Sequence, residues 1–220
     1  NKYNLYHKKV DERMQDLTML NESQQDAVKC VDGPVLILAG AGSGKTKTIT
    51  SRLAYLLSLG IPPANTLTLT FTNKAASEMR ERAMAMIEEH NYPPLLCTFH
   101  KFGLLFLKFH IEKIGRKNSF VVIDTDDKKR ILKSFNTSTE LPTSMISSEI
   151  SRYKTSLIDP KVEWEKAEQK SYQVIAKLYE QYEDYLAANN LVDFDDLLVL
   201  PYKILESDDA LCEEVSRRYQ

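Results

Sequence analysis

The sequence predicts an α/β protein: a parallel sheet with helices on both faces, interrupted by an all-helical insertion. Three observations carry this reading. Up to about residue 115, short apolar runs alternate with segments of helical length and spacing, the pattern of strands joined by crossover helices. Between the first apolar run and the next helical segment lies a glycine-rich turn, Ala39 to Thr46, reading AGAGSGKT, and strand, glycine turn and helix in that order form a phosphate cradle. After about Gly115 the strand signal nearly disappears and helical periodicity takes over.

Taken in order, residues 1–17 are polar with weak helical spacing and read as an N-terminal arm. A short helix is expected from about Glu22 to Val31, capped by Asn21 and stopped by Asp32-Gly33-Pro34. Val35 to Leu38 reads as a buried strand, and Lys47 to Leu59 as the helix after the glycine turn. Gly60-Ile61-Pro62-Pro63 breaks the chain, Thr66 to Phe71 reads as a second buried strand, and Thr72-Asn73 caps a helix from Lys74 to about Glu89. Pro93-Pro94 is a further break before a strand at Leu95 to Thr98 and a helix at Phe102 to Ile114. Beyond a brief strand signal at Phe120 to Ile123, helices are expected near 126–135, 144–156, 161–168 and 171–189. The last is the most periodic, through Val174, Leu178, Tyr182 and Leu186. Tyrosines 172, 179, 182 and 185 read as a core or interhelical stripe in preference to a base-stacking ladder. A final helix at Phe194 to Leu205 returns to the first domain. The expected organisation is therefore 18–115 for a first domain segment, 116–190 for the insertion and 191–220 for an incomplete return.

The 220 residues suffice for one large domain or two small ones, and 43% hydrophobic with 27% charged residues is ordinary globular composition. No run approaches the roughly eighteen uncharged apolar residues of a membrane span, and the polar start lacks a signal-peptide core, so a cytoplasmic protein is expected. Three widely spaced cysteines, Cys30, Cys97 and Cys212, suggest neither a disulfide framework nor a zinc site. The net charge of −2 is unevenly spread: residues 1–120 carry 16 Lys and Arg against 11 Asp and Glu, and residues 121–220 carry 13 against 20. An anionic partner would be met by the front half, which also holds all four histidines.

The glycine turn is the strongest chemical signal. Backbone amides of Ala41, Gly42, Ser43 and Gly44 can turn inward around an anion, Lys45 supplies a charge for the β- and γ-phosphates, and Thr46 supplies a hydroxyl for Mg²⁺. Lys45 and Thr46 are the candidate catalytic residues. The first glycine of the usual pattern is here Ala39.

With further segments in view, the chain resembles superfamily 1 DNA helicases of the UvrD/Rep type over nearly its whole length after residue 18. Leu20-Asn21-Glu22-Ser23-Gln24 matches the family's LNxxQ segment and makes Gln24 the candidate adenine reader, since an amide offers one donor face and one acceptor. AGAGSGKT is the family's own phosphate loop. Many members place arginine after GKT, flat on the adenine, where this chain has Lys47, which lacks the planar group. Thr70-Phe71-Thr72-Asn73-Lys74-Ala75-Ala76 matches a segment that touches single-stranded DNA, and Thr98-Phe99-His100-Lys101-Phe102 resembles the TFHxx segment on the same track. The resemblance thus implies DNA contacts by Phe71, Thr72, Asn73, Thr98 and His100. Leu191 to Leu198 (LVDFDDLL) resembles the LDFDDLL segment, and its three aspartates read as a helix start, with Asp193 as N-cap, and not as a metal site.

The resemblance implies a RecA-like P-loop NTPase domain with a helical insertion, ending before the acidic Walker B strand that holds Mg²⁺. It implies a parent enzyme that uses ATP and Mg²⁺ to move 3′ to 5′ on single-stranded DNA and to separate duplex DNA, in company with repair or replication proteins. The chain by itself is expected to bind nucleotide weakly and to hydrolyse almost none. Two other readings stay open: the front half of a recombination nuclease–helicase subunit, and a nucleotide-dependent DNA-binding module without motor activity.

Overall fold

A computed structural model describes residues 15–85, 93–137, 139–167 and 169–219. Most of the N-terminal arm and the expected end of the helix beginning at Lys74 lie outside the described residues. The chain divides into two compact units, one comprising the residues up to Thr98 with those from Glu213 onward, the other Phe99–Cys212. Among the described residues both are mostly helical, each with one small parallel sheet.

In the first unit, α1 (Glu22–Lys29) begins at the predicted cap. Helix α2 (Lys45–Ser58) follows the glycine turn directly, and β1 (Leu67–Thr70), α3 (Asn73–Ala85) and β2 (Leu95–Thr98) complete a strand–helix–strand crossover. The two strands pair in parallel, Leu67 opposite Leu95 and Thr70 opposite Thr98. Helix α2 buries two faces. Ala54 and Tyr55 pack with Leu17, Leu20 and Val28, while Leu53 packs with Ala76, Met79, Ala83 and Leu96. Arg80 of α3 donates to the Leu96 carbonyl, tying the crossover helix to the strand it precedes.

The expected strand at Val35 to Leu38 is not formed among the described residues. That stretch has no ladder partner, and Leu36 and Leu38 are 81% and 85% exposed. An apolar run reports a demand for burial, but a parallel strand also needs a neighbour for its amides and carbonyls. Among the described residues β1 and β2 pair only with each other.

In the second unit, α4 (Phe99–His110) leads through a 3₁₀ turn to β3 (Val121–Val122), then α5 (Thr125–Phe135), α6 (Thr143–Thr155), α7 (Pro160–Lys166) and α8 (Lys170–Ala188). A two-residue strand β4 (Leu191–Val192) pairs in parallel with β3, and α9 (Asp196–Ser207) follows; α10 (Asp209–Arg218) is next in the chain, its residues from Glu213 counted with the first unit. The sequence reading contained neither β4 nor α10. Half of the tyrosine stripe is core: Tyr179 and Tyr182 are buried among Ile123, Leu132, Ile146, Ile150 and Ile175, Tyr172 packs against them partly buried, and Tyr185 is exposed.

Helices α4 and α9 cross at Gly103, where a Cβ would lie 1.7 Å from the Leu197 carbonyl oxygen. That carbonyl's ordinary helical donor would be the amide of residue 201, which is proline and has none. The close approach of the glycine backbone therefore covers an acceptor that the proline leaves open.

Behind this crossing lies a buried charge cluster. The Lys154 ammonium of α6, 1% exposed, meets Asp196 Oδ1 at 2.7 Å, Glu183 Oε1 at 2.8 Å and Asp193 Oδ1 at 3.1 Å. Lys128 of α5 meets Asp195 Oδ2 at 2.8 Å and Asp193 Oδ2 at 3.5 Å, and donates to Ser151 Oγ at 2.8 Å. Asp193 and Asp196 also exchange hydrogen bonds: the Asp196 amide donates to Asp193 Oδ1 at 2.9 Å and the Asp193 amide to Asp196 Oδ2 at 3.2 Å. Asp193 was expected to be the N-cap, but the helix starts later, with Asp195 as N-cap and no side-chain cap; Asp193 Oδ1 instead accepts from the first helical amide, and both Asp193 and Asp196 are buried and bind lysine.

Four carboxylates around two ammonium groups leave an excess of negative charge. Burial would push Asp193 up, yet Lys154 and then Lys128 hold it below the usual carboxylate range, helped by the Asp196 amide. Burial pushes Asp196 up to about 7; Lys154 opposes this, and Asp193 and Glu183 reinforce it. Lys154 is driven up and stays charged, because Asp196, Glu183 and Asp193 outweigh its desolvation.

Two expectations follow for stability. Within an exposed helix, Gly→Ala gains about 1 kcal/mol, but Gly103→Ala is expected to cost about 1–3 kcal/mol through overpacking against Leu197. Urea unfolding measures this, and a neutral or stabilised variant contradicts the crossing. The second concerns pH. A carboxyl whose folded pKa is raised stabilises the fold below its unfolded value and loses that contribution as pH climbs through the folded value. Asp196 should therefore make the fold progressively less stable between about pH 4 and pH 7. The urea midpoint should fall over that window in the wild type and fall less in Asp196→Asn; parallel pH profiles for the two proteins would contradict the assignment.

Candidate functional site

The phosphate loop lies in the first unit and is built by backbone geometry. Gly42 and Gly44 have φ of 75° and 84°, in the left-handed region, and Gly44 is the N-cap of α2 with no side-chain cap. The first hydrogen bond of the helix is Thr48 N–H to Gly44 O at 2.9 Å, so the amides of Lys45, Thr46 and Lys47 come before it as donors for an anion. Gly44 is constrained twice, since a Cβ there would also come within 3.0 Å of Gln24 Nε2.

Lys45 and Thr46 are both exposed at the start of α2. The Lys45 ammonium donates to the carbonyls of Ala39 at 2.8 Å and Gly40 at 3.1 Å, folding over the loop mouth. Ser43 Oγ donates to Gly40 O at 2.7 Å and tightens the same turn. These residues suit a polyphosphate with Mg²⁺: the donors are backbone amides and one ammonium, and the Thr46 hydroxyl is the hard oxygen that Mg²⁺ takes.

Gln24 is brought to this loop from 19 residues away. Its Nε2 donates to Ser43 O at 2.9 Å. Its Oε1 accepts from the Asn21 amide at 3.0 Å, while Asn21 Oδ1 accepts from the Gln24 amide at 2.9 Å. This is a capping box, whose Asn-x-x-Gln spacing was visible in the sequence. Both ends of the amide are thus engaged, one with the helix start and one with the phosphate loop. Lys47 turns its ammonium to the Met19 carbonyl at 3.0 Å, on the side of the glutamine segment.

The DNA candidates of the first unit sit where β1 and β2 end. Phe71 is 87% exposed just after β1, and Asn73 is exposed at the start of α3. Thr72 caps that helix, its Oγ1 accepting from the Ala75 amide at 3.1 Å. Thr98 ends β2 opposite Thr70 and is buried, unlike the other three. In the second unit, Phe99 and His100 open α4 and are both exposed. What the sequence reading missed is Lys154 and Lys128, whose acidic partners stand 29 to 67 positions further along the chain. No local pattern signals such pairs.

No helix among the described residues is long and apolar enough to cross a membrane. The family described as UvrD/REP helicase N-terminal domain matches residues 20–220. The chain is 35% identical over 213 residues to a probable DNA helicase II homolog of Mycoplasma capricolum subsp. capricolum, covering 92% of this chain and 30% of that protein. It is 34% identical over 210 residues to the ATP-dependent DNA helicase PcrA of Staphylococcus aureus, covering 93% and 29%. With the Bacillus subtilis helicase of the same name, identity is 36% over 212 residues, covering 93% and 28%. The chain therefore spans about 30% of the length of these relatives. With its phosphate loop, its glutamine segment and a match across nearly all of its length, the chain belongs to the UvrD/REP helicase N-terminal domain family.

Proposed function

We propose that this chain is the front part of an ATP-dependent DNA helicase that moves along single-stranded DNA, in the 3′ to 5′ direction, and opens duplex DNA in repair or replication. The observation that carries the reading is the junction of Gln24 with the phosphate loop at Ser43, immediately ahead of a helix start that has no side-chain cap and can offer its amides to an anion. A nucleotide has an adenine at one end and phosphates at the other, and this junction presents a donor–acceptor amide beside a phosphate cradle. The relatives' names, ATP-dependent DNA helicase and DNA helicase II homolog, support the same reading.

In this proposal the amides of Ala41 to Thr46 and the Lys45 ammonium hold the triphosphate, and Thr46 provides the Mg²⁺ ligand. Mg²⁺, when bound, spreads the charge that develops on the phosphates. Lys45 exchanges its present carbonyl acceptors for phosphate oxygens, which are stronger partners because they are charged. Phe71 offers an exposed ring for a base, and Asn73 and His100 offer polar groups to the strand. In the longer protein, Val35 to Leu38 becomes a strand of a full RecA-like sheet with helices on both faces. There the segments 18–115 and 191–220 belong to the motor domain and 116–190 to the insertion. The expected setting is the cytoplasm.

The test is DNA-stimulated ATP hydrolysis by the longer protein. Lys45→Ala is expected to lower the turnover rate by about two to three orders of magnitude, the usual effect of removing one group that stabilises developing charge. Turnover unchanged by that substitution would overturn the proposal.

A further inference from the structure

The charge cluster of the second unit reaches toward His100 by a short route. Lys154 grips Asp193 and Asp196. The residue after Asp196 is Leu197, whose carbonyl oxygen lies against Gly103 so tightly that a Cβ there would be 1.7 Å away. Gly103 in turn stands three residues after His100, one turn further along α4, so the two lie on adjacent ground on one helix face. The two contacts between elements on this path, Lys154 with Asp193 and Asp196 and Leu197 with Gly103, are buried, and the path ends at the exposed His100. Lys154 is 1% exposed, Asp193 and Asp196 are each 2% exposed, and Leu197 and Gly103 are buried.

We propose that Lys154 is a positioning residue for single-stranded DNA: from the helical insertion it fixes the start of α9, and through the Leu197–Gly103 contact it sets where the His100 end of α4 sits. The inference rests on reading His100 as a DNA contact. Lys154 itself touches no DNA. Its charge is held by three carboxylates, Asp193 just before α9, Asp196 at the first residue of α9 and Glu183, so replacing it frees the start of α9 from α6. Asp193 keeps other donors, the Tyr182 hydroxyl at 3.0 Å and Lys128 at 3.5 Å, whereas Asp196 Oδ1 has Lys154 at 2.7 Å as its short ionic contact. The start of α9 is therefore the part that Lys154 controls most directly.

The experiment is a double-mutant cycle in the longer protein, read by fluorescence anisotropy of a labelled oligothymidylate. His100→Ala and Lys154→Met are each expected to weaken binding about three- to tenfold, and the double variant to be no weaker than His100→Ala alone, because residues acting through one contact are not additive. The ATP concentration for half-maximal hydrolysis should stay at its wild-type value. Unchanged affinity in His100→Ala would overturn the DNA reading of His100 and this inference with it. A loss in His100→Ala with none in Lys154→Met, or losses that multiply in the double variant, would overturn the positioning role alone. Should Lys154→Met fail to fold, the charge-balanced pair Lys154→Met/Asp196→Leu takes its place in the same cycle, with the same expected and contrary outcomes.

Discussion

The second unit depends on one buried contact, the Lys154 ammonium among Asp193, Asp196 and Glu183. Removing one partner of a buried ion pair costs about 3–5 kcal/mol, because the charge left behind has neither water nor a counter-ion. Here Lys154 of α6 meets Glu183 of α8, Asp193 just before α9 and Asp196 at its first residue, so the charges constrain elements far apart in sequence. Lys128 adds α5 to the same network, and the ring of Tyr182 lies 5.5 Å from both ammonium groups. Apolar packing of Ile146, Ile150, Ile175 and Leu186 supplies the bulk of the core but has little directional preference. The ionic contact, with its fixed geometry, selects where α9 begins.

The first unit is organised by a different constraint, the need of a helix start for anionic or polar partners. The amides at the head of α2 lack a side-chain cap, and the turn before them depends on backbone angles that a β-carbon disfavours. Gln24 links this turn to α1 and Lys47 links it to Met19, so the glutamine segment and the phosphate loop form one piece. The same amide that caps α1 reaches the loop. A ligand competing for either face of Gln24 would therefore act on both the helix start and the loop.

Much of this was legible in the sequence, and the reasons are local. AGAGSGKT specifies a turn through its own glycines, Asn21 announces a helix start, and the three-to-four-residue spacing of Leu178, Tyr182 and Leu186 identifies a buried face. Val35 to Leu38 misled because an apolar run states that burial is wanted without naming the partner that provides it. The role of Asp193 to Asp196 was half legible. The hydrogen bonds between Asp193 and Asp196 join neighbours in sequence, but their burial against Lys154 and Lys128 depends on residues 39 to 67 positions away. Gly103 and Pro201 gave no signal at all, since their meaning appears only when two helices cross.

The central claim is that two buried lysines are held by more carboxylates than their charge can balance, with Asp196 taking the proton. Site-resolved carboxyl NMR titration of the labelled protein tests it most directly. The account predicts that Asp196 ionises near pH 7 while Asp193, held by Lys154 and Lys128, ionises below the usual carboxylate range. Ionisation of both carboxyls at ordinary aspartate values would contradict it.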